Sequence, residues 1–113
     1  MGLHSTAADL AHFVAVLMAP GEHPLRAAWE LARQPLADFP AYGGKMGLGV
    51  MLMPRPDGVV YWHGGSTNGV RSHLEWSPSA HHAQVVLLND DSIDAMNRVV
   101  SLYQLVPSST ERH

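Results

Sequence analysis

The chain has 113 residues, 46% of them apolar and 15% charged, which is the composition of one globular domain with a core near the small end of the range. Its net charge of −3 and pI near 6.2, with six arginines and one lysine scattered along it, leave no basic footprint for nucleic acid. The absence of cysteine excludes a disulfide framework and a thiolate zinc site, and no stretch approaches the roughly 18 consecutive apolar residues of a membrane span.

In chain order, the Met1–Thr6 start lacks the basic residues and apolar run of a signal peptide. Thr6 is a good N-cap, Asp9 stands three residues on, and Leu10, Phe13, Val14, Leu17 and Met18 follow at helical spacing. This predicts an amphipathic helix over 6–18, ended before Pro20-Gly21. A second helix is expected over 24–34, with Pro24 in its first turn, Leu25, Ala28, Trp29 and Ala32 inward, and Pro35 as its stop. Prolines and glycines from Pro35 to Gly44 predict irregular chain.

The period then changes. Met46 to Met53 reads as a strand, Pro54 to Gly58 as a turn with an Asp-Gly signal, and 59–63 as the second arm of a hairpin. That arm, Val59-Val60-Tyr61-Trp62, delivers His63 into an expected Gly64-Gly65 turn, where bare backbone N–H groups and a titratable side chain would meet. Glycines at 64, 65 and 69 remove Cβ atoms where something could approach the main chain. Trp62 points away from His63 and is expected to pack under the helices; Trp29 and Trp76 are expected in the core.

Residues 70–76 alternate, with Val70, Ser72, Leu74 and Trp76 on a buried face and Arg71, His73 and Glu75 on a polar one. Arg71 and Glu75 are expected to form a solvated pair of little energetic weight. Ser77 to Ala80 turns the chain, and 83–88 is apolar enough for a central strand covered on both faces. Asn89-Asp90-Asp91-Ser92 caps a last helix over 92–105 bearing Ile93, Met96, Val100 and Tyr103, closed by Pro107; the tail 108–113 is polar. The fold class is therefore α+β: one domain over 1–107, built of an antiparallel β-sheet meander flanked by helices. Eight histidines raise the question of a metal site, but they lack ligand spacing on one element, so neither metal nor cofactor is expected.

Four blocks, in order, carry a family resemblance: Gly2-Leu3-His4-Ser5-Thr6-Ala7-Ala8-Asp9-Leu10-Ala11-His12-Phe13, Gly47-Leu48-Gly49-Val50, His63-Gly64-Gly65-Ser66-Thr67-Asn68-Gly69-Val70-Arg71-Ser72, and Val85-Val86-Leu87-Leu88-Asn89. Together they resemble the C-terminal part of the serine β-lactamase and penicillin-binding-protein superfamily, closest to its class C-like branch with D,D-peptidases and esterases. The resemblance implies the C-terminal half of the β-lactamase/transpeptidase-like fold and a bacterial serine hydrolase, of a family often exported or periplasmic. Of the three motifs that meet in such enzymes only the third is here: His63-Gly64-Gly65 matches the His-x-Gly form. Gly64 stands where Thr or Ser is usual, so a hydroxyl for a substrate carboxylate is missing.

Ser-x-x-Lys does not occur, because the one lysine, Lys45, follows Tyr42 by three; no tyrosine has Asn two residues on. Ser66-Thr67-Asn68 spells Ser-x-Asn but directly follows the third motif, so it is read as coincidence.

By resemblance His63, Gly65 and the backbone N–H of Ser66 are the catalytic contribution, the last as an oxyanion donor, and Gly64, Thr67 and Asn68 line the substrate. The implied partners are the missing N-terminal part of the same domain, carrying the nucleophile, and a small-molecule or peptide substrate with an ester or amide carbonyl (β-lactam, D-Ala-D-Ala peptide or small ester). Alone, such a chain is expected to be inactive, because a serine nucleophile needs its base beside it. The alternative is a non-catalytic binding module on the same fold, with oligomerisation through exposed apolar faces.

Overall fold

A computed structural model describes residues 4–102. Helices α1 (Ala7–Met18) and α2 (Arg26–Ala32) precede strands β1 (Ala37–Phe39), β2 (Gly44–Met46), β3 (Met51–Arg55), β4 (Gly58–Thr67), β5 (Val70–Ser77) and β6 (His82–Leu88), and α3 (Ile93–Leu102) follows. The six strands form one antiparallel sheet in sequence order, so the fold is α+β with a meander.

The Thr6 hydroxyl accepts from the Asp9 N–H at 3.1 Å and starts α1 as its sequence predicts. Only Val14 and Leu17 of its stripe are buried, and Phe13 is exposed. Helix α2 is shorter than expected: it begins after a turn ending at Leu25, which is exposed. At the other end Ser92 Oγ accepts from Ala95 N and Asp90 Oδ1 from Ser92 N, which caps α3. The expected continuation to 105, Tyr103, and the 108–113 tail lie outside the described residues, as do Gly2 and Leu3.

The strand boundaries differ from expectation in three places. Met46–Met53 is not one strand, because residues 47–50 turn the chain between β2 and β3; Leu48 N there bonds the Ala32 carbonyl, and a Cβ on Gly47 would collide with that same oxygen. The stretch expected to be irregular contains β1, which pairs with β2 through Asp38↔Lys45. Pro54 is inside β3 rather than in the turn, at a register position where its missing N–H faces away from β4. Six strands therefore replace four.

The sheet separates two apolar clusters. On one face Tyr61 and Trp76 pack under Trp29 of α2, with ring centroids 5.0 and 5.6 Å from it, together with Val14, Leu17, Val50 and Leu52. On the other, Met96 and Val100 of α3 pack on Val86. Strand β6 touches α1 and α3, so both its faces have a helix as expected, although Leu87 is exposed, and it is the last strand of the sheet, not a central one. An apolar run reports burial of both faces and says nothing about whether a neighbour strand follows.

Candidate functional site

Strand β4 does not turn at Gly64-Gly65. It runs on to Thr67, and the turn is Asn68-Gly69, with a left-handed φ of 79° at Gly69 alone. Period-2 alternation then places His63 and Gly65 on the α2 face with Tyr61, and Gly64 and Ser66 on the α3 face with Val60 and Trp62. His63 is exposed, opposite Leu74. Trp62 corrects the expectation that it packs under the first helices: Tyr61 does so, and Trp62 is half-buried on the other face.

The two turns that bound β4 fix which way its backbone points. The β3–β4 turn has two residues, so Arg55↔Gly58 exchanges hydrogen bonds, and alternation makes Met53↔Val60 and Met51↔Trp62 the next bonded pairs. The β4–β5 turn also has two residues, which makes Thr67↔Val70, Gly65↔Ser72 and His63↔Leu74 bonded pairs. Both give the same parity: even residues of β4 present N–H and C=O toward β3, odd residues toward β5. Strand β3 begins at Met51, level with Trp62. Beyond that point, among the described residues, no strand faces the N–H and C=O of Gly64 and Ser66, so they stand on an open edge, next to His63.

Glycine at 64 is not required by crowding. A Cβ there would meet the Ser72 carbonyl oxygen, Trp62 and His73 at ordinary distances of 3.5 to 3.9 Å, and a side chain would point toward His73 on the α3 face. At Gly65 a Cβ would stand a tight 3.1 Å from the Ser72 hydroxyl.

The α3 face holds a cavity of about 480 Å3 that Gly64, Gly65 and Ser66 line at one end; His63, Thr67 and Asn68 do not line it. Inside it, His73 Nε2 and Glu75 Oε1 are 2.7 Å apart, and the Trp62 and His73 rings stack at 5.9 Å. Glu75 is 5% exposed. The polar face expected to be solvated is thus an interior one. Arg71 does not pair with Glu75: its Nε donates to the Asp91 carbonyl at 2.7 Å, while the Asp91 carboxylate accepts from Gly69 N at 3.1 Å. These two bonds tie the β4–β5 turn to the start of α3, and Arg71 also lines the cavity. Arg55, also in the lining, has an Nε enclosed by protein with no acceptor among the described residues.

Sequence reasoning missed the His73–Glu75 pair, Arg55 and the Asp91 tether. Alternation put His73 and Glu75 on one face; the signal that this face is interior was the apolar stripe of the last helix, which needs a sheet face to cover. No comparable signal marks Asp91, whose partners lie 20 and 22 residues away in sequence. Among the described residues no three His, Asp or Glu gather where they could hold a metal ion.

A family model, Beta-lactamase, matches residues 1–104. The chain belongs to the β-lactamase family. This family is of the serine-hydrolase type, and the match spans all four blocks that carry the resemblance, including the strand with His63-Gly64-Gly65. Comparison with curated proteins and with solved structures returned no match.

Proposed function

We propose that these residues are the C-terminal portion of a β-lactamase-family serine hydrolase that opens an ester or amide carbonyl (β-lactam, D-Ala-D-Ala peptide or small ester) through an acyl-serine intermediate. The carrying observation is the open edge of β4: the Ser66 N–H faces a gap in the sheet, one residue beyond His63-Gly64-Gly65. A donor held by a rigid strand and free of ladder partners is what a developing oxyanion needs, and one such donor is worth roughly 3 to 4 kcal/mol in acyl transfer. His63 orients the substrate or tunes the nucleophile from the adjoining face. Gly64 and Gly65 keep side chains away from the reacting carbonyl, and Thr67 and Asn68 border the substrate at the strand end.

The nucleophile and its base belong, in this reading, to an N-terminal portion of the same domain, because Ser-x-x-Lys and Tyr-x-Asn do not occur in these residues. Two surfaces support that partner. The edge of β6, unpaired among the described residues, carries no proline, lysine or acidic residue from His82 to Leu88, although edges exposed to water are normally protected by such residues. Helix α1 is apolar nearly all round, and a helix of that kind is usually covered on more than one side. The coding sequence upstream of Met1 tests the proposal. An in-frame Ser-x-x-Lys followed by Tyr-x-Asn or Ser-x-Asn is expected, and an upstream sequence without them rejects it.

The same unprotected edge favours a second reading, a non-catalytic module that binds a partner strand. Sedimentation separates the two when combined with an ester assay of the longer protein: turnover stopped by a serine-directed inhibitor rejects the purely binding role.

A further inference from the structure

We propose that Asp91 is a positioning residue for the reaction: it holds the overhanging end of β4 from the start of α3, so that the Ser66 N–H keeps a fixed place at the open edge. This rests on the reading of that N–H as the oxyanion donor.

Beyond the Met51↔Trp62 pair, the segment from His63 to Thr67 has only β5 beside it among the described strands. A strand end supported along one side, next to a tight turn, is where a sheet opens first. An oxyanion donor needs the opposite property. It must stand about 2.7–3.1 Å from the developing charge, and a misplacement of about 1 Å can cost about a hundredfold in rate. The overhang therefore has to be stiffened from outside the hairpin.

Asp91 does this with two bonds. Its Oδ2 accepts from the Gly69 N–H at 3.1 Å, inside the turn, and its carbonyl accepts from Arg71 Nε at 2.7 Å. Arg71 is the direct cross-strand partner of Ser66. One residue thus grips both the turn that follows the donor and the side chain opposite it. Asp91 is itself held, because Asp90 Oδ1 accepts from Ser92 N at 2.8 Å and Ser92 Oγ accepts from Ala95 N at 3.2 Å, which fixes its two neighbours at the start of α3. Met96 and Val100 of that helix are buried against Val86 of β6. The line of contacts therefore runs from a packed cluster, through the helix start, to the hairpin tip. A bond from a backbone N–H to a carboxylate is among the stronger hydrogen bonds, and its loss acts on the strand end rather than on either apolar cluster.

Amide hydrogen exchange on the 113-residue chain tests the tether without any nucleophile. Strand parity makes the Gly65 and Thr67 N–H groups donors to β5 near the tip, and the Tyr61 N–H a donor farther along the same ladder. In Asp91→Ala, exchange at Gly65 and Thr67 should quicken about tenfold while Tyr61 is unchanged, because the opening is local. Asp91→Asn keeps a side-chain oxygen that can accept from the Gly69 N–H, and should restore the slow rates to within about threefold.

In the longer protein the oxyanion bond forms in the transition state, so Asp91→Ala should lower kcat about tenfold with KM within about twofold, and Asp91→Asn should recover it. Thr6→Ala, which removes the α1 cap, is the control: it should lower the unfolding midpoint and leave kcat alone. Unchanged exchange at Gly65 and Thr67, or a quickening shared by Tyr61, overturns the proposal. So does an unchanged kcat in Asp91→Ala, with or without a raised KM, or a kcat loss that Thr6→Ala reproduces. A longer protein that turns over no ester removes the hydrolase reading, whereas the exchange pattern is read on the chain alone and fails only with the tether.

Discussion

His73 and Glu75 show how much a single strand face can hide. Glu75 is a buried carboxylate whose hydrogen-bond partner is a histidine two residues away, with side-chain exposures of 7% and 16%. Removing His73 leaves that carboxylate without its partner, so His73→Leu should cost about 2–4 kcal/mol in urea unfolding. The double variant His73→Leu/Glu75→Leu should be less destabilised than His73→Leu alone, since it removes the charge that would be stranded. Additive losses in the cycle would show that the pair is not coupled. The exposed pair on β1 and β2 behaves differently. The hydrogen bond from Lys45 to Asp38, then its charge, hold the Asp38 carboxyl below its usual value of 3.8. A lowered folded value means that this contribution is present above the unfolded value and is lost as pH falls through the folded one. With Asp38 at the surface the effect on stability is small, and the clean readout is NMR: Lys45→Met should raise the Asp38 titration midpoint, and an unchanged midpoint would reject the cause.

At the scale of elements, the β4–β5 hairpin positions everything proposed for the site. Its length carries the strand past the end of β3, and its two-residue turn sets the parity that leaves Ser66 N–H unpaired with any strand of the described residues. The turn depends on Gly69, whose φ of 79° is open to few side chains. Gly69→Ala should therefore cost about 1–2 kcal/mol and move the Gly65 and Ser66 amide resonances in an NMR spectrum. A neutral substitution with unmoved amides would mean that the turn does not set the register.

How much of this was legible in the sequence depends on the range of the interaction. Thr6, the Ser92 region and the alternation over 70–76 act within a few residues, and the structure has them where the pattern puts them, except that Val70, expected on the buried face, is exposed at the strand's start. The end of β4 was misplaced because Gly64-Gly65 resembles turn chemistry; seven cross-strand pairs with β5 keep the chain extended there, so tertiary pairing outweighs local preference. The interior character of Arg71, His73 and Glu75 was not legible, because polarity alone cannot reveal that α3 lies against that face.

At the scale of the whole molecule, the sheet is a platform with one end built and one end open. Helices α1 and α2 cover one face with a tryptophan–tyrosine core, α3 covers part of the other, and among the described residues β6 ends the sheet without a further strand. Its membership of the β-lactamase family, together with the presence of one catalytic motif and the absence of two, gives the account its central claim. In the proposed function the chain supplies the strand that stabilises charge, and the nucleophile comes from elsewhere in the protein. The most direct measurement is intact-mass analysis of the isolated 113-residue chain after incubation with a chromogenic ester and a serine-directed acylating inhibitor. No turnover and no mass adduct are expected from the chain alone, and both are expected from the longer protein. An inhibitor-sensitive turnover by the isolated chain, with the adduct on one of its own serines, would contradict the account.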